Sequence, residues 1–165
     1  LWWQSGQSLG QATVLLILMG LLFGFLVVNL SRNKIFLGDS GSIPLGFVLG
    51  AILLQLAQSV GLVACFILIA YYLVDPLSTL AIRMHRKENL LQAHRDHAYQ
   101  FPVQHGRSHI FVSGFLALVH GVLIALALSA QHAPFLSLTL AVIVAIWAVI
   151  ALRCNFAWRA GRTGS

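Results

Sequence analysis

The sequence predicts an all-α fold, a polytopic membrane helical bundle of about five transmembrane helices, with the N-terminus outside and the C-terminus cytoplasmic. Three observations carry it. The 165 residues are 59% hydrophobic and only 8% charged, with a mean hydropathy of +0.87, whereas soluble domains carry roughly 25% charge. The apolar residues gather in five runs, each near the length that crosses a bilayer. All 10 Lys and Arg fall on one side once those five helices are drawn. Strand alternation is not sustained, and a membrane barrel would need many segments of about 10 residues.

The first run covers residues 11–30. Its leader, "LWWQSGQSLG", contains no Lys or Arg and so does not open like a secretory signal. The second run, 43–58, follows "GDSGSIP", in which Ser42 is expected to cap the helix, with Ile43 and Pro44 in its first turn. The third, 60–82, contains Asp75 and Pro76, and the missing proline N–H is expected to bend the helix there. The fourth and fifth, 109–129 and 134–152, are joined by "QHAP". Gly20 with Gly24, and Gly46 with Gly50, have the spacing of close helix contacts. These pairs are read as packing inside one bundle, with a homo-oligomer face as the lesser alternative. Cys65 and Cys154 fall near opposite ends of their helices, so no disulfide is expected.

The basic residues set the orientation. Arg32 and Lys34 lie in a first loop, about 31–42; Arg83, Arg86, Lys87, Arg95 and Arg107 lie in a longer one, 83–108; Arg153, Arg159 and Arg162 lie in a tail, 153–165. The positive-inside rule makes these segments cytoplasmic. Residues 1–165 then form a single membrane domain. The net charge of +6 belongs to one face, suited to the anionic headgroups of membrane lipids or to an anionic cytosolic substrate. No soluble domain remains to hold nucleic acid.

The acids, Asp39, Asp75, Glu88 and Asp96, lie in or near the same face. In "GDSGS", Gly38 and Gly41 let the backbone approach a ligand. The helix start that follows favours phosphate, and Asp39 offers the hard oxygen that Mg2+ takes alongside phosphate and water. A capped turn with no ligand is an equal alternative. Asp75 sits inside an apolar helix, where an ionised group must face the bundle interior or a watery cleft; Thr79 and Arg83 share its helical face. The loop around "AHRDHAYQ" has competing readings. Zinc on His94, His97, His105 and His109 matches no familiar spacing and lacks cysteine. A kinase catalytic loop fails, because Phe101 stands where Asn is required and no DFG occurs. A pyrophosphate clamp would use Arg95 as a forked donor and a histidine as donor or proton carrier. A plain solvated basic loop is the remaining alternative.

Three blocks in order, "N…KIFLGDSGS…GF", "D…TL…R" and "AHRDHAYQ", resemble the C-terminal half of the polyprenyl-phosphate N-acetylhexosamine-1-phosphate transferases, glycosyltransferase family 4. The last block looks closest to the branch that initiates O-antigen. It departs from the family's His-x-His-His run: His97 matches the first histidine, and Tyr99 and Gln100 replace the other two. The resemblance implies transfer of a sugar 1-phosphate from a UDP-N-acetylhexosamine to undecaprenyl phosphate, with Mg2+ as cofactor, on the cytoplasmic face of a bacterial inner membrane. By position, Asp39 resembles the metal ligand and a catalytic residue, and His97 and Arg95 resemble catalytic residues near the pyrophosphate. Phe36 resembles the uracil-stacking residue. Asn29, Gly38, Gly41, Ser42, Asp75, Arg83 and His94 complete the implied substrate-binding set. The family's Asp-Asp pair and Asn-rich Asp-Gly motif, which belong to its first half, do not occur here, and on that ground the chain is expected to be about half of an enzyme that is inactive alone. The alternative from another class is a noncatalytic bundle or part of a transporter, for which broken helices or polar groups near mid-membrane are expected.

Overall fold

The computed structural model describes residues 2–32, 38–89 and 97–160. Every element among them is helical: α1 (Trp2–Arg32), α2 (Gly38–Val60), α3 (Leu62–Leu68), α4 (Ala70–His85), α5 (Gln100–Gln104), α6 (His109–Ser129) and α7 (Pro134–Ala160). α1, α2, α6 and α7 are each long and apolar enough to cross a membrane, and α3 with α4 makes a fifth span if the pair is taken as one. The chain is a multi-pass membrane protein.

Residues 1–48 and 49–165 form two compact units. In the first, α1 and the start of α2 bury none of their described residues. A helix that is apolar on every side and covered by nothing suits hydrocarbon. In the second, α3, α4, α6 and α7 close around Ile67, Tyr71, Leu123 and Leu152, all 2% exposed or less. α7 contributes a stripe at offsets of three and four: Ser137, Ala141, Ala145, Ala148 and Leu152, all buried. The opposing face of α6 presents Val112, Val119, Leu123 and Ala127. Lipid is as apolar as leucine, so helices in a bilayer gain little by hiding large side chains from it. Small residues that let backbones approach supply the contact instead, and the alanines mark where that happens.

Several boundaries follow from local chemistry. Ser108 has extended φ and ψ, and its Oγ accepts from Phe111 N at 3.2 Å, capping α6. Pro134 opens α7, where its missing N–H costs nothing. Ser129 Oγ and Ser137 Oγ, 2.9 Å apart, tie the ends of α6 and α7 together; such bonds between membrane helices are worth about 0.6 kcal/mol each. Gly61, at φ +86, turns the chain between α2 and α3 in a conformation that side chains resist.

Two expectations are corrected. α2 begins at Gly38, at φ +58, so Ser42 and Pro44 lie inside the helix and Ser42 is not its cap. The left-handed glycine turns the chain into the helix four residues before the serine. The third run is broken: α3 and α4 meet at 62°. The break is at Ile69, which has φ −99 and ψ 5, and α4 continues through Pro76. Ile69 N still reaches Cys65 O (3.3 Å) and Leu73 N reaches Ile69 O (3.0 Å), so the residue at the bend keeps both backbone bonds. Within the second unit, the small-residue contact is made by the alanines of α7.

Candidate functional site

The polar residues of the second unit converge where α4, α7 and the segment before α5 meet. Asp75 lies on the inward face of α4 and is 3% exposed. Its Oδ1 accepts the Ala98 amide at 2.8 Å. From α7, Arg153 brings Nη2 to 3.7 Å from the same oxygen and donates to Thr79 Oγ1 at 2.6 Å. Thr79 in turn donates to the Asp75 main-chain carbonyl at 2.8 Å, one turn back on α4. His97 Nδ1 stands 3.9 Å from Asp75 Oδ2, and its ring stacks on Tyr99 with centroids 5.8 Å apart. The Arg153 guanidinium lies over the Phe101 ring, 5.8 Å from its centroid. A buried carboxylate is tolerated when a cation stands beside it and it accepts hydrogen bonds; Asp75 has Arg153 beside it and the Ala98 amide on Oδ1.

Two turns along α4, Arg83 is 5% exposed. Its Nε donates to Glu88 Oε2 at 3.1 Å and its Nη2 to the Asn89 carbonyl at 2.5 Å. The helix closes there with Lys87 N on Met84 O and Glu88 N on Arg83 O, both 3.1 Å, the paired bonds that end a helix through a left-handed residue. That residue is Lys87, at φ +56, where glycine is usual. Arg83 therefore braces the chain leaving α4.

The other predicted residues divide by place. Asn29 is half-buried, three residues before the end of α1. Gly38 is the first residue of α2, Asp39 falls in its first turn, and Gly41 and Ser42 follow on the same helix. Phe36, His94 and Arg95 lie outside the described residues. So the structure brings Asp75, Thr79 and His97 together and directs Arg83 elsewhere. It also adds Arg153, which sequence reasoning had placed in a tail. One signal pointed to such a residue: a carboxylate at Asp75, within an apolar helix, demands a cation from a neighbouring helix.

Among the described residues no three His, Cys, Asp or Glu side chains gather to hold a metal ion, and the Asp75 carboxylate is already taken by Ala98 and Arg153.

Comparison with known proteins adds two findings. The family model described as "Glycosyl transferase family 4" matches residues 2–57. A phospho-N-acetylmuramoyl-pentapeptide-transferase of Clostridium beijerinckii is 38% identical over 76 residues, which cover 45% of this chain and 22% of the relative. No solved structure matches.

Proposed function

We propose that the chain belongs to glycosyl transferase family 4, whose model matches residues 2–57, and that it takes part in moving a sugar 1-phosphate from a UDP-N-acetylhexosamine to undecaprenyl phosphate, at the cytoplasmic face of a bacterial inner membrane. One observation carries the reading: the matched segment, residues 2–57, contains the "GDSGS" turn into α2, with Asp39 in the first helical turn. In the reaction an oxygen of the lipid phosphate forms a bond to the β-phosphorus of the nucleotide sugar. The bond from that phosphorus to the bridging oxygen breaks, and UMP leaves with the oxygen. The amides at the start of α2 favour the phosphates. Asp39 would hold Mg2+, which when bound neutralises charge on the phosphoryl oxygens. Arg95 is assigned to gripping the diphosphate as a forked donor, and His97 to donating a hydrogen bond or carrying a proton beside it. The O-antigen branch is the finer reading, resting on the "AHRDHAYQ" block.

The test is UMP release from a panel of UDP-N-acetylhexosamines, with undecaprenyl phosphate and Mg2+, by this chain in lipid nanodiscs, alone and together with a second chain that supplies the family's first half. Release that requires both lipid and metal supports the proposal. Its absence across the panel with both halves present and folded refutes it.

A transporter is the second reading, and two observations favour it: the broken span at Ile69, and His120 Nε2, buried in the bundle with no hydrogen-bond partner among the described residues. Transporter sites use backbone groups freed where a helix unwinds. Ile69 frees neither of its own, which weighs toward the transferase.

A further inference from the structure

We propose that Arg153 and Asp75 form a clasp that positions His97 for the transfer step, which makes the end of α7 part of the working site. The inference rests on the transferase reading for the reaction, but its geometry stands apart from that reading. Asp75 Oδ1 makes its shortest contact to the Ala98 amide, at 2.8 Å, and a longer one to the Arg153 guanidinium, at 3.7 Å. A carboxylate kept only to neutralise an arginine would take the guanidinium at hydrogen-bond distance. Here its best lone pair is given to the chain that carries His97. Arg153 supplies a cation beside a carboxyl group that is 3% exposed, and it is held by Thr79 Oγ1 and the Phe101 face.

The consequence falls on the adjacent residue. Ala98 is fully buried, so fixing its amide fixes the direction in which His97 leaves the backbone. The other oxygen, Asp75 Oδ2, faces His97 Nδ1 at 3.9 Å. Contacts of this kind are often long before substrate binds and shorten in the complex. A carboxylate opposite Nδ1 favours the tautomer with its proton there, leaving Nε2 to accept a proton or a hydrogen bond at the substrate. Asp75 and Arg153 are thus positioning residues, and His97 is the group they aim.

A double variant separates positioning from plain stability. Removing one partner of a buried pair leaves an uncompensated charge and destabilises, whereas removing both is often tolerated. Asp75→Asn with Arg153→Gln should therefore recover the thermal midpoint lost by either single variant, yet keep kcat for UMP release at least tenfold below wild type with little change in KM. Arg153→Lys, which retains the cation, should restore most of the turnover. A double variant with wild-type kcat would overturn the proposal, as would Arg153→Lys as slow as Arg153→Gln in equally stable protein. Hydrogen exchange gives a readout that needs no turnover. In Arg153→Gln, amides of residues 97–101 should exchange at least tenfold faster while those of α6 hold. Unchanged exchange there would overturn the clasp even if the protein transfers no sugar, and faster exchange without UMP release would overturn the transferase reading and leave the clasp standing.

Discussion

Two regions of this chain treat the same kind of apolar sequence in opposite ways. Between Gly10 and Val63 no described residue is buried, although α1 and α2 are dense in leucine, valine and phenylalanine. From Ala64 onward the same residue types enclose a core in which Ala141, Ala145 and Ala148 are fully buried. Hydrophobicity does not distinguish the regions; small residues set in register do. The family match lies almost wholly in the first region, and the buried ion pair lies wholly in the second. The stretch that matches the family model and the stretch that encloses the buried ion pair are thus largely separate.

The comparison can be broken most forcefully at Asp39. Asp39→Asn keeps the side-chain shape but loses the charge, and formation of lipid-linked sugar at saturating Mg2+ is expected to fall about 100-fold or more, in line with losing one preorganised electrostatic group, while membrane insertion stays intact. Near-normal transfer would return "GDSGS" to a simple helix start. Next comes packing. Ala145→Leu, in the fully buried stripe, is expected to cost about 1–3 kcal/mol by overpacking, seen as a lower thermal midpoint in detergent. Gly24→Ala, where an added Cβ meets nothing, should be neutral or stabilise by about 0.5–1 kcal/mol. Equal effects at the two sites would erase the distinction between the regions. Lys87→Gly should give a gain on the order of 1 kcal/mol by relieving the left-handed backbone. Smallest of all, His120→Leu should leave UMP release within about twofold, since its ring packs on Tyr71 and Tyr72 and has no assigned part in the transfer; a large loss would favour the transporter reading, in which a buried intramembrane histidine is functional.

Much of the architecture was legible because its causes are local. The helix predicted over residues 109–129 is the one observed, since a serine cap precedes it and a short polar link follows. Gly61 and Pro134 announced the turns beside them. The break at Ile69 was not legible: "FILIA" contains neither glycine nor proline, and the visible proline, Pro76, sits within unbroken helix. The site divides the same way. Asp75 marks itself as an acid inside an apolar run, but its partner Arg153 is 74 residues from Thr79 in sequence. Only the packing of α7 against α4 chooses that arginine over the others near the chain's end. Ser42 misled because a serine before Ile-Pro has the look of a cap, whereas Gly38 had already started the helix.

The central claim is that the "GDSGS" turn and the "AHRDHAYQ" segment serve one reaction, which requires them on the same side of the membrane. Sided labelling tests this directly. With Cys65 and Cys154 replaced, single cysteines placed at Ser40, Arg86 and Gln131 are exposed to a membrane-impermeant maleimide in intact cells. The account predicts that Gln131 is labelled, while Ser40 and Arg86 react only after the cells are opened. Labelling of either Ser40 or Arg86 from outside, with the other protected, would place the two segments on opposite faces and contradict it.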